Sequence, residues 1–284
     1  MKKKLIPITL SCSLALALFS PGLNLVKAEE ITPVLTEEQP TQLLVESENL
    51  VIYQVLEADG FTYEYHEEII TDGEIQDVVI TKYKVIDGEK VLVEESEQTI
   101  ETTENGDILV TSDQTEEPVL IEITDIQETP EVPTGTVDVL PPPTTVTKSG
   151  INYASSLRYQ TGSGGSYIAD TRWITYSDGS ATAIMNGQSP YYKYTKTGND
   201  NFKIFKIYAN DLKKKELELT VIGGALSVAD ALIDAIKSGK ILSWTLLKTV
   251  SSKVLKSIPA VGTLYALWDY AGTYLDARTY YRRI

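Results

Sequence analysis

One cysteine, Cys12, and one histidine, His66, are all that the 284 residues hold of the side chains most used for thiol chemistry, metal binding and proton transfer. A lone histidine excludes multi-histidine metal sites and cooperating imidazoles; between Tyr65 and Glu67, His66 reads as a partly exposed strand residue. Cys12 lies in a segment expected to be removed, so the mature chain has no disulfide and must draw stability from core burial or partners. No segment has the alternating Asp and Asn ligands ending in Glu that a calcium loop requires. Gly162, Gly164 and Gly165, with Ser163 and Ser166, read as a flexible loop whose spacing fits neither a phosphate-binding loop nor a nucleophile elbow. A Ser-His-Asp triad would need His66 from the far side of a linker, and Asp170 with Asp178 are aspartates any β-domain carries. The expectation is no catalytic residue, no metal ligand, no cofactor and no enzymatic activity.

What is present is charge, unevenly spread. Residues 1–28 read as a secretory signal: Lys2, Lys3 and Lys4 open it, Leu5 to Phe19 are mostly apolar, and Val26 and Ala28 place cleavage after Ala28, leaving 256 residues for a secreted, extracellular protein. From Glu29 to Lys148 there are thirty acidic and four basic residues; from Ser149 to Ile284, ten acidic and seventeen basic. Such asymmetry means that one half meets something anionic, that the halves mask each other, or that both charge sets solvate independent domains.

Residues 29–49 are acidic and aperiodic, which predicts a mobile leader. Residues 50–128 predict an acidic antiparallel meander of about six strands, because Asp59-Gly60, Asp72-Gly73, Asp87-Gly88 and Asn105-Gly106 separate short apolar alternations. Residues 129–148, with Pro130, Pro133, Pro141, Pro142 and Pro143, predict an extended linker open to proteolysis. Residues 149–284 predict a cationic α+β domain with strands across 151–222, among them Phe202 to Tyr208 and Glu216 to Val221, then helices over 225–238, 241–257 and 260–281. The fold class expected is α+β.

The helices carry the functional expectation. Ile222, Leu226, Ala229, Ile233 and Ile236 share a face; Leu247, Val250, Val254 and Ile258 oppose Lys248, Ser252 and Lys256; Val261, Leu264, Tyr265, Trp268 and Leu275 repeat before Arg278, Arg282 and Arg283. A spanning helix needs about twenty apolar residues. No segment reaches that without Asp230, Asp234, Lys248 or Asp269, so interfacial insertion is favoured over spanning. The same residues also suit a soluble helical layer covering its own sheet. Trp244, Leu247, Leu264 and Trp268 are the candidates for insertion, and Lys248, Lys253, Lys256, Arg278, Arg282 and Arg283 for attraction to anionic lipid. Tyr153, Tyr159, Tyr167, Trp173, Tyr176, Tyr191, Tyr192 and Tyr194 stack on wall sugars, sit at a lipid headgroup boundary, or serve as core and cross-strand partners, the commonest role of strand aromatics.

The signal from Lys2 to Ala28, the cysteine-free mature chain, the acidic forepart and the run from Val221-Ile222-Gly223-Gly224-Ala225-Leu226 to Trp268 resemble the large, unmodified secreted bacteriocins of Gram-positive bacteria, the geobacillin type. The last quarter also resembles, more loosely, the apolar helical hairpins of pore-forming toxins, although the charges inside it depart from that pattern. The resemblance implies killing of related bacteria through envelope damage. The partner expected is therefore a bacterial membrane or envelope, with contact between the acidic and basic halves, and neither nucleic acid nor small-molecule cofactor. The alternative is a non-toxic secreted or surface-associated protein that binds wall polymers.

Overall fold

The structure, a computed structural model, describes residues 35, 41–57, 59–114, 117–123, 159–237 and 242–284. The signal with Ala28, the linker over 129–148 and Tyr153 lie outside the described residues. All described residues belong to one compact unit, Leu35–Ile284. The architecture is α+β: a seven-stranded antiparallel meander, a second sheet of four strands, and four helices.

The first sheet runs in sequence order: β1 (Thr41–Glu46), β2 (Leu50–Leu56), β3 (Thr62–Asp72), β4 (Ile75–Ile86), β5 (Glu89–Thr102), β6 (Ile108–Ser112) and β7 (Val119–Ile121). Its turns form where glycine can take a left-handed backbone, as at Gly73 (φ 61°) and Gly88 (φ 82°). β1 corrects the expected leader: Thr41 to Glu46 pair with Val55 to Val51 of β2, and Thr41 is buried. The register places Val51 opposite Glu67 and Glu67 opposite Ile80, so the inward face is not purely apolar. Val51, Tyr53, Ile69, Val78, Ile80 and Ile100 are buried on it, and so are Glu67 and Gln98.

The second sheet has the order β11-β10-β9-β8, built from β8 (Gln160–Ser166), β9 (Thr171–Tyr176), β10 (Ser180–Met185) and β11 (Tyr192–Lys196). The glycine run expected to be a loop is strand β8. A Cβ on Gly164 would lie 2.7 Å from Asn210 Oδ1 and 2.9 Å from Trp173 Cζ2, and one on Gly165 would lie 2.2 Å from the Thr171 carbonyl oxygen. The glycines are there for close approach, which composition alone cannot distinguish from flexibility.

Residues 202–208 and 216–220 are not strands but parts of one helix, α1 (Asp200–Thr220), with Val221 its C-cap. Phe202, Phe205, Ala209, Leu212, Glu216 and Leu219 recur at helical intervals and are its buried residues, and Asn199 caps it by accepting from the Phe202 N–H. Over the six residues from Glu216, a period of two imitated a strand; the 21-residue period prevails. α2 (Ala225–Lys237), α3 (Trp244–Leu255) and α4 (Val261–Arg283) follow where their spacing predicted. α4 and α1 pack closely through Phe205 on Tyr281 and Tyr208 on Tyr280. One core cluster includes Val51, Tyr53 and Ile80 from the acidic sheet, Trp173 and Met185 from the second sheet, and Trp244, Leu247, Leu264 and Trp268 from the helices.

Candidate functional site

The junction between the acidic sheet and α3 is built on Glu67. This side chain has no solvent exposure and points from the inward face of β3 at the first turn of α3. Glu67 Oε1 accepts from the Trp244 backbone N–H (2.6 Å) and the Tyr53 hydroxyl (2.8 Å). Its Oε2 accepts from the Thr245 backbone N–H (2.9 Å) and the Thr245 hydroxyl (2.6 Å). The opening amides of a helix have no intrahelical acceptor and carry the positive end of the helix dipole, so a carboxylate from another layer can satisfy them and set the angle at which the helix docks. Burial pushes the Glu67 carboxyl above its usual range, against the pull of its four donors.

Neighbouring contacts complete the junction. Ser243 caps α3 in the ordinary way, accepting from the Leu246 N–H (3.0 Å), while its hydroxyl donates to Gln98 Oε1 on β5 (2.8 Å). Thr249 donates to Gln76 on β4 (3.0 Å), and the Tyr265 hydroxyl accepts from the Leu43 N–H on β1 (2.9 Å). Beneath these lies an aromatic cluster. Tyr53 stacks on Tyr65 (5.0 Å), meets Trp268 edge-on (5.0 Å) and lies 5.9 Å from Trp244, which in turn lies 5.6 Å from Tyr265.

The ten candidate membrane residues do not form one surface. Trp244, Leu247, Leu264 and Trp268, expected to insert into lipid, are buried against the acidic sheet and the other helices, because their apolar faces find cover within the chain. In this arrangement they are core, not contact surface. Lys248 pairs with Glu46 of β1, and Lys253 approaches Glu74, in the β3–β4 turn, at 3.8 Å. Arg278 donates to the Ile236 carbonyl (2.7 Å), Arg282 to Gln188 Oε1 (2.9 Å), and Arg283 lies over the Tyr280 ring (5.3 Å). Lys256 is exposed at the left-handed end of α3 (φ 52°). Two of the cations thus meet the acidic sheet, and the rest are dispersed.

Sequence reasoning passed over Glu67 by treating the acidic residues as solvating charge. Its signal was parity: Glu67 shares a strand face with Tyr63, Tyr65 and Ile69. His66, on the opposite face, lies part-buried 2.6 Å from Glu64. Burial opposes ionisation of Glu64, but Lys90, His66 and Gln54 hold its carboxyl below the usual range. Of the aromatics considered for sugar stacking, Trp173 is buried and donates to Asn210 (2.8 Å), whereas Tyr159, Tyr192 and Tyr194 are exposed.

A cleft of about 1040 Å³ separates the sheet from α1 and α4, lined by Glu57, Lys82, Tyr208, Lys215 and Asp276 among others. Burial, reinforced by the facing Glu57 charge, pushes Asp276 up to about 6. Among the described residues no cluster of three or more His, Cys, Asp or Glu is placed to hold a metal ion, and no helix is long and apolar enough to cross a membrane. Comparison with protein-family models, with curated proteins and with solved structures finds no match.

Proposed function

We propose that the chain is a secreted antibacterial protein of the bacteriocin kind, in which the acidic sheet holds a cationic, apolar helical layer closed until it acts on a bacterial envelope. The observation that carries this reading is the Glu67 junction: a buried carboxylate of the acidic half satisfies the first two amides of the helix that also bears Lys248 and Lys253. The residues suited to lipid, Trp244, Leu247, Leu264 and Trp268, are buried in the same core cluster as Tyr53, which donates to Glu67. Opening the junction would expose a wide apolar face fringed by lysines, which is the composition an anionic interface attracts. No helix needs to span, so the action is interfacial disruption.

The test is a full chain with a protease site placed within residues 129–148. Cleavage followed by dilution should raise dye release from phosphatidylglycerol vesicles and killing of Gram-positive cells, and the triple variant Lys248→Glu, Lys253→Glu, Lys256→Glu should suppress both. If cleaved and intact chains alike leave vesicles and cells unharmed, the reading fails. The cleft beside Asp276, with its mixed polar and apolar lining, and the exposed tyrosines favour the second reading, non-toxic binding of wall polymers. Sedimentation with purified wall, without any leakage, would select it.

A further inference from the structure

The helical layer ends in two turns that come together. α1 and α4 run antiparallel, since Phe205 meets Tyr281 (5.6 Å), Tyr208 meets Tyr280 (5.7 Å) and Lys215 pairs with Asp269 (2.5 Å). That register carries the C-terminus of α1 to the N-terminus of α4. In the turn from α1 to α2, Gly224 lies against the end of α3, where an added Cβ would fall 2.6 Å from Leu255 Cδ2. The α1–α2 turn and the α3–α4 turn are therefore neighbours.

Four large apolar side chains are exposed at this end: Leu217, Val221, Ile258 and Val261, with Val221 and Ile258 each 85% exposed. Exposed singly they would need no explanation, but four gathered at one end suit an interaction surface. Lysines stand beside them, and Glu218, next to Leu217, faces Lys214 at 3.6 Å. Lys256, two residues before Ile258, has no ion-pair partner among the described residues, and Lys253, a turn earlier, has only its 3.8 Å approach to Glu74. The cap residue of α4, Ala260, offers no side-chain acceptor, so the first turn of this 23-residue helix adds its positive dipole end to the same tip. A second exposed apolar run, Val91-Leu92-Val93 on β5, follows Lys90, whose charge Glu64 engages, and precedes Glu94 and Glu95, so an anionic surface would repel it.

We propose that the tip formed by Leu217, Val221, Ile258 and Val261, with Lys253 and Lys256, is the surface by which the closed, intact chain first seats on an anionic bilayer. The apolar side chains enter the headgroup boundary while the two lysines pair with lipid phosphates. This rests on the reading that the chain acts on bacterial envelopes, but it makes no use of the buried tryptophans and requires no opening. The occupant is a lipid surface rather than a protein because the four apolar side chains protrude beside lysines, and the groove that Lys253 lines lies among Glu48, Glu74 and Gln76, not among them.

The experiment is sedimentation of the full chain with vesicles of equal parts phosphatidylglycerol and phosphatidylcholine, and with phosphatidylcholine alone, at physiological salt. Binding is expected to the first and not the second. The double variant Val221→Glu, Ile258→Glu should lower partitioning at least tenfold, and Lys256→Glu severalfold; Leu92→Glu should leave it unchanged. Both tip side chains protrude into solvent, and equal circular dichroism and melting temperature will verify that the fold is retained. The proposal is overturned if the double variant binds like the parent, if Leu92→Glu loses as much, or if the intact chain does not bind. Tip-dependent binding by a chain that never leaks vesicles, even when cleaved, would sustain this proposal and defeat the closed-toxin reading. Leakage after cleavage without intact-chain binding would do the reverse.

Discussion

Replacing Glu67 by Ala removes one acceptor group from four donors at once, which makes it the sharpest probe of the junction. The Tyr53 and Thr245 hydroxyls can rotate toward other acceptors, but the Trp244 and Thr245 amides are fixed by the helix. Each buried, unanswered amide costs about 1–3 kcal/mol. Against this stands the relief of no longer burying a carboxyl group, so the net loss is set at about 3–4 kcal/mol. For a chain of this size that corresponds to a fall of about 6–16 °C in melting temperature. Glu67→Gln keeps one oxygen for one pair of donors and turns an amide on the other, and should lose about 2–3 kcal/mol. Urea unfolding at pH 7 measures both losses, and hydrogen exchange of the peptide from Ser243 to Leu247 locates them. A loss below about 1 kcal/mol for the alanine variant, or unchanged exchange at the start of α3, would refute the argument that Glu67 holds this helix to the sheet.

The other predictions concern pH, close packing and the aromatic cluster. Burial raises the carboxyls of Glu67, Glu216 and Asp230 and pushes Asp276 up to about 6. A group raised by folding contributes stability that is complete below its unfolded value and lost as pH rises through its folded value. The melting temperature should therefore rise as pH falls from 8 toward 5, then drop below the usual glutamate value of 4.5, where Glu64, held low by Lys90, His66 and Gln54, is protonated. A steady loss of stability from pH 8 to 5 would contradict this, and would instead suit an acid-triggered opening. Gly164→Ala forces a methyl group into Asn210 and Trp173 and should cost about 1–3 kcal/mol in thermal unfolding, with loss of protection at the Trp173 indole N–H. Trp268→Ala removes an indole packed on Tyr53 and Trp244 and should cost about 3–5 kcal/mol, whereas an exposed interfacial tryptophan would cost almost nothing.

Much of the architecture was legible because it is written in local chemistry. The Asp-Gly and Asn-Gly pairs mark the hairpins of the meander, and apolar spacing marks α2, α3 and α4 within a few residues. α1 was missed because Leu217, Leu219 and Val221 alternate over a short window, while the helical repeat from Phe202 to Leu219 emerges only over the full length. β8 was missed because its glycines signal a loop until Trp173 and Asn210 are known to press against them. β1 has no period of its own and is strand because β2 supplies a partner edge. The site was half legible. Trp244, Leu247, Leu264 and Trp268 were singled out as the apolar face of the helices, and they belong to one core cluster, yet what Trp244 and Trp268 meet is Tyr53 of the acidic half. That pairing depends on contacts nearly two hundred residues apart, and a helical period carries no information about which layer it will meet.

The central claim is that the acidic sheet restrains the helices through Glu67. The most direct measurement is the rate of dye release from phosphatidylglycerol vesicles by the Glu67→Ala chain relative to the parent, at a temperature where both are folded. The account predicts release at least about tenfold faster for the variant, as expected when roughly 1.4 kcal/mol or more of restraint is lifted. Equal rates, with the junction verifiably opened by hydrogen exchange, would contradict it.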